Sequence, residues 1–155
     1  MNNLDKDSLK EFVYKASQAT YASGDESIKQ KQVDGSTTIV FKDGDYGYHD
    51  NYFGGEPYGG REVVFLKNKP IWMMVYYGLV HKVVETKEVY PFLVESLSNT
   101  TISMPYRGPI IYQKNNFKYT NDFVGDVENF SGTEKIFEDN ICIYEAKYMG
   151  GLINQ

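Results

Sequence analysis

At 155 residues the chain is sized for one domain with a proper buried core, and 24% charged and 41% hydrophobic residues are ordinary for a soluble globular protein. Its net charge of −5, with no run of Lys and Arg, sets it against direct nucleic-acid binding, which needs clustered positive charge. The single cysteine, Cys142, excludes a disulfide within the chain and makes a reducing cytoplasm the simplest home, with Cys142 itself a small buried hydrophobe.

Residues 1–7 are polar and acidic, unlike a signal peptide, and read as a frayed tail. The first helix is expected to start at Ser8, where Ser8 and Glu11 have capping-box spacing. Leu9, Phe12, Val13, Ala16 and Ala19 then form one apolar stripe, and Gly24 is a stop. Residues 23–36 are a polar connection, either a solvated linker or a lid. Strands are expected at Thr37 to Lys42, Asp45 to Phe53, Glu62 to Leu66 and Ile71 to Gly78. In the second of these, Tyr46, Tyr48, Asp50 and Tyr52 share one face, and Gly47, His49, Asn51 and Phe53 the other. Gly54 to Gly60 reads as a glycine-rich loop. The apolar run Ile71 to Val80 is too short for a membrane helix, so no membrane contact is expected.

Thr86 to Ser98 reads as the second helix, with Pro91 near its first turn. A loop over 99–109 ends in Pro105-Tyr106-Arg107-Gly108-Pro109. Strands are then expected at Ile110 to Lys114, Phe117 to Phe123, Glu134 to Glu138 and Ile141 to Tyr148.

These elements repeat. Shifting Ile39–Gly78 by 71 positions sets Ile39 on Ile110, Tyr48 on Tyr119 and Gly54 on Gly125. One inserted residue near Asn129 continues the match, with Gly60 on Gly132, Glu62 on Glu134, Asn68 on Asn140 and Tyr76 on Tyr148. The pattern predicts an α+β single domain with an internal duplication: two helix-plus-four-stranded antiparallel meander repeats, α-ββββ-α-ββββ, with pseudo-twofold symmetry. Whether the two four-stranded units join edge to edge or pack face to face stays open.

Several groups point to chemistry. Glu62 and Glu134 fall at matched strand positions among aromatics; a carboxylate so placed has a raised pKa and can move a proton, or it can accept framework hydrogen bonds from tyrosines. Arg107, in a loop stiffened by two prolines, can clamp an anion or tie the loop down. Tyr46, Tyr48, Tyr52, Trp72 and Tyr76 form aromatic faces that can stack on a flat or cationic ligand or serve as core. His49, Asp50 and Glu56 lie close in sequence, but His49 and Asp50 point to opposite faces, so no metal site is expected. No phosphate loop, dinucleotide fingerprint or nucleophile elbow occurs, and no cofactor is expected.

Tyr52-Phe53-Gly54-Gly55-Glu56, Pro70-Ile71-Trp72, Tyr76-Tyr77-Gly78, Pro105 to Pro109, Phe130-Ser131-Gly132-Thr133-Glu134 and Tyr148-Met149-Gly150-Gly151 together resemble a bacterial domain family of unknown function. Members occur alone or behind a Cro/repressor-type helix-turn-helix. The resemblance runs from about residue 9 to 153 and implies a sensor-like module, without assigning catalytic residues. The leading expectation is therefore a cytoplasmic module that binds a small polar ligand or a protein partner through Glu62, Glu134, Arg107, Tyr48, Trp72 and Tyr76. One alternative is a small enzyme with Glu62 or Glu134 for proton transfer and Arg107 as anion clamp. The other is a structural or interaction protein.

Overall fold

A computed structural model describes residues 5–81 and 86–154. Helix α1 runs over Lys6–Ala19 and is capped by Asp5, whose carboxylate accepts from the Asp7 and Ser8 amides at 3.1 and 3.4 Å. The start therefore lies ahead of the expected Ser8 cap. Ser8 donates its hydroxyl to Asp5 at 2.6 Å instead of capping. An aspartate also adds negative charge where the helix dipole favours it. Leu9, Phe12, Val13 and Ala16 are buried as the stripe predicts, whereas Ala19 is exposed.

The connection expected over 23–36 holds a 3-10 turn at Glu26–Ile28 and a short strand, β1 (Gln30–Lys31). Then come β2 (Thr37–Asp43), β3 (Tyr46–Gly54), β4 (Tyr58–Leu66), β5 (Lys69–Val80) and α2 (Thr86–Ser98). β6 (Ile111–Lys114), β7 (Phe117–Asp126), β8 (Asn129–Glu138) and β9 (Ile141–Leu152) complete the chain. The two-residue turns Lys67-Asn68 and Asp139-Asn140 have positive φ at both positions, the hairpin geometry that suits the twist of the flanking strands.

The expectation of two helix-plus-four-strand units with pseudo-twofold symmetry is overturned. Among the described residues nine strands form one antiparallel sheet in the order β1-β2-β3-β4-β5-β9-β8-β7-β6, and the fold is mostly β with two short helices. β5 pairs with β9 from Trp72↔Leu152 to Val80↔Tyr144, so the meanders fuse edge to edge. Nor does each helix have its own sheet. The α1 stripe packs on Tyr48, Trp72 and Met74 and also on Phe130 and Tyr148 from the second meander. Helix α2 packs Val89, Phe92, Leu93 and Leu97 on Tyr119, Ile136 and Tyr144.

Both helices cover the same face, because Trp72, Met74 and Tyr76 alternate inward on β5 and Tyr144, Ala146 and Tyr148 do so on β9. The opposite face is open: Val75, Tyr77 and Met149 project from it.

The strands run through glycines that sequence assigns to loops. At Gly60 a Cβ would meet the Tyr52 Cβ at 2.6 Å, and at Gly132 one would meet the Tyr148 ring at 2.3 Å. Gly60 makes room for the neighbouring β3 backbone and the Tyr76 hydroxyl, and Gly132 for the Tyr148 ring. Gly132→Ala is expected to lower stability by about 2 kcal/mol, because Tyr148 is held by Asn121 and cannot swing aside freely. Urea unfolding checks this; a loss below about 0.5 kcal/mol would show that the ring yields.

Candidate functional site

The covered face carries a polar cluster inside an otherwise apolar layer. Its centre is Glu134 on β8, fully buried. Arg107 reaches it from the loop before β6, donating Nη2 at 2.6 Å and Nε at 3.2 Å to one carboxylate oxygen. The Tyr144 hydroxyl donates to the same oxygen at 2.9 Å, and Tyr119 donates to the other at 2.6 Å. Burial, followed by the charge of Glu134, pushes both tyrosines well up, so they remain protonated donors.

The loop delivers Arg107 because it is pinned on both sides of Gly108. The Gly108 amide donates to the Tyr119 hydroxyl at 3.1 Å, and Asn121 Nδ2 donates to the Gly108 carbonyl at 3.0 Å. Any side chain at 108 would lie 2.7 Å from the Tyr119 ring, so only glycine lets the loop come this close. The guanidinium lies over two aromatic rings, 5.5 Å from the Tyr21 centroid and 5.4 Å from that of Tyr76. It also donates to Tyr58 at 3.4 Å, and the Tyr58 and Tyr144 hydroxyls bond each other across the seam.

Glu62 on β4 lies opposite Asp50 of β3, and both are buried. Tyr76 donates to Asp50 at 2.5 Å. Burial raises the Asp50 carboxyl to about 6, against the Tyr76 hydrogen bond and the charges of Arg107 and Lys29. Burial raises Glu62 well above the usual carboxylate range, and the Asp50 charge adds to this. Tyr48 is buried beside them. Trp72 stands apart: its ring stacks on Phe130 at 5.6 Å and its N–H donates to the Val127 carbonyl at 3.1 Å.

Of the six residues singled out from sequence, Glu134, Arg107, Tyr76, Glu62 and Tyr48 thus belong to the cluster, and Trp72 to the apolar core next to it. Asp50, Tyr58, Tyr119, Asn121 and Tyr144 were missed as site residues. The signal for three of them was present: Tyr119 and Tyr144 match Tyr48 and Trp72, and Asp50 alternates onto the Tyr48 face. His49 and Asp50 do point to opposite faces, and Glu56 is engaged by the Val80 amide at 2.8 Å and by the Tyr90 hydroxyl.

The open face has its own concavity, a groove of about 680 Å³ at the central seam. One row across it is Val75, Met149, Ser131 and Val124; the next is Tyr77, Lys147, Thr133 and Asp122. The small Ser131 and Thr133 between larger neighbours leave the hollow. Tyr77, Val124 and Met149 are more than half exposed, at 54%, 68% and 59%. The strands expected from sequence stop short of Val124, Ser131, Thr133 and Met149, and nothing in their alternation showed that the outer face would stay bare.

Among the described residues no helix is long and apolar enough to cross a membrane. No curated protein and no solved structure matches the chain. The family model described as Domain of unknown function (DUF5680) matches residues 50–153, more than half of the chain, and the chain belongs to that family.

Proposed function

We propose that the protein is a binding module and that an amphipathic ligand sits on the open face of its sheet. The observation that carries this reading is the groove of about 680 Å³, a volume typical of small-molecule pockets. Val75, Tyr77, Val124 and Met149 would cover an apolar body, and Lys147 with the hydroxyls of Ser131 and Thr133 would hold a polar or anionic end. Exposed apolar surface gathered at one place is the usual mark of an interaction site. Proton-transfer chemistry is the weaker reading, because Glu62, Glu134 and Arg107 are 1%, 0% and 4% exposed on the covered face. A sensor-like role in a bacterial cytoplasm, beside a DNA-binding regulator, completes the proposal and rests on the family resemblance.

The test uses 1-anilinonaphthalene-8-sulfonate, an aromatic body with one anionic end. Its fluorescence is expected to rise on binding the native chain, with amide shifts at Val75, Tyr77, Lys147 and Met149. Val75→Asp and Met149→Asp place a carboxylate at exposed positions and are expected to weaken dye binding about tenfold each. A flat titration with the native chain, or affinity unchanged in both variants, rules the groove out.

A further inference from the structure

The two matched glutamates are furnished differently. Glu134 receives Arg107, Tyr119 and Tyr144. At the Glu62 end, the position matching Tyr144 is Trp72, whose N–H is turned to Val127. The Glu62 Oε1 atom has no hydrogen-bond partner among the described residues, and neither do the hydroxyls of Tyr48 and Tyr21. Glu62 and Tyr48 are nonetheless 1% and 3% exposed. Polar atoms so buried are normally bonded, and leaving them alone is costly.

Charge points the same way. Asp50 and Glu62 lie opposite each other within the influence of the Arg107 charge, and Arg107 is committed to Glu134. Burial first, then the charge of Asp50, pushes the Glu62 carboxyl up, with Arg107 and the Tyr48 hydroxyl pulling it back. Tyr21 is raised by burial and by the charge of Glu62, so its hydroxyl stays protonated. The Glu62 end therefore presents a carboxyl oxygen without a close hydrogen-bond partner, the Tyr48 and Tyr21 hydroxyls and aromatic rings, beside the Asp50 carboxyl.

We propose that Glu62, Tyr48 and Tyr21 form an internal site for a small hydrogen-bond-donating cation, an ammonium or primary amine group. Arg107 displays the same chemistry at the other end, where a donor cation is bonded to a glutamate and flanked by the Tyr21 and Tyr76 rings. Among the described residues no three carboxylate, histidine or cysteine groups converge for a metal ion, which favours a cation that donates hydrogen bonds. The cover is short: Tyr21 belongs to a three-residue 3-10 turn, Tyr21–Ser23, that ends at the left-handed Gly24. The site lies on the covered face and stands independently of the groove.

The probe is methylammonium chloride, compared with sodium chloride and with tetramethylammonium chloride, which has no N–H, at equal concentration and pH 8. Thermal unfolding of the full chain is expected to show Tm raised by about 3 °C in methylammonium alone. Glu62→Gln and Tyr48→Phe are each expected to abolish the rise, while Val75→Asp in the groove keeps it. Equal Tm in the three salts overturns the proposal, and so does a rise that survives both variants. Should either variant fail to fold, saturation transfer from the native chain to the methylammonium methyl protons decides: transfer supports the site, and its absence overturns it.

Discussion

Arg107→Ala is expected to destabilise the protein by about 3–5 kcal/mol. The substitution leaves Glu134, with 0% exposure, facing Tyr119 and Tyr144 without its cation. It also removes the guanidinium from over the Tyr21 and Tyr76 rings and loosens the loop that Gly108 pins. A buried pair is worth little relative to an apolar replacement of both members, but breaking it from one side strands a charge in low dielectric. The matched glutamates should then respond unequally to the same change. Glu134→Gln loses the ion pair and is expected to cost about 3 kcal/mol. Glu62→Gln at pH 7 is expected to cost less than about 1 kcal/mol, because burial pushes that carboxyl toward its neutral form and glutamine has nearly the same shape. Urea unfolding at pH 7 measures all three. An Arg107→Ala cost below about 1 kcal/mol, or equal costs at both glutamates, would show that the ion pair does not anchor the cluster.

Much of the strand layout was legible, because period-two alternation and turn chemistry are local. Tyr46, Tyr48, Asp50 and Tyr52 do share the covered side of β3, and Asn68 and Asn140 do occupy hairpin turns. What failed was non-local. Nothing in the alternation of Ile71 to Gly78 says which strand lies beside it, so the pairing of Tyr76 with Tyr148 across the seam was not readable. The glycines misled for a physical reason: Gly60 clears space for the β3 backbone and the Tyr76 hydroxyl and Gly132 for the Tyr148 ring, and β4 and β8 begin ahead of them at Tyr58 and Asn129. At the site, the residue types were legible and their environment was not. Glu62, Glu134 and Arg107 were found as chemistry-bearing groups, yet burial under α1 and the Tyr21 turn depends on helices whose docking no local pattern encodes. The groove escaped notice because Val75 and Tyr77 look like ordinary alternate positions until the bare face is seen.

Asp50→Asn is expected to make the protein more stable at neutral pH, against the usual result of altering a buried charged residue. Asp50 is 3% exposed, and burial lifts its carboxyl from an ordinary 3.8 to about 6. Tyr76 on β5, Arg107 in its loop and Lys29 in the first connection favour the ionised form, and burial outweighs them. Glu62, opposite on β4, and Tyr48, on the same strand, supply no compensating cation. The folded chain thus holds this proton more tightly than the unfolded chain does. Between about pH 4 and pH 6 the folded state binds the extra proton, so this contribution to stability is present below the window. It is lost as pH rises through the window and stays lost above it, a swing on the order of 3 kcal/mol. Asparagine keeps an oxygen to accept from Tyr76 and never ionises. Surface carboxylates such as Asp25 and Asp34, held low by hydrogen bonds to Ser27 and Ser36, tilt stability the opposite way in both proteins and cancel in the comparison. The stability difference between variant and native chain, from urea unfolding, should therefore be small at pH 4 and favour the variant by about 2–3 kcal/mol at pH 7. The same difference at both pH values would mean that Asp50 is ionised throughout, balanced by Tyr76 and Arg107, and that the buried cluster tolerates its second negative charge.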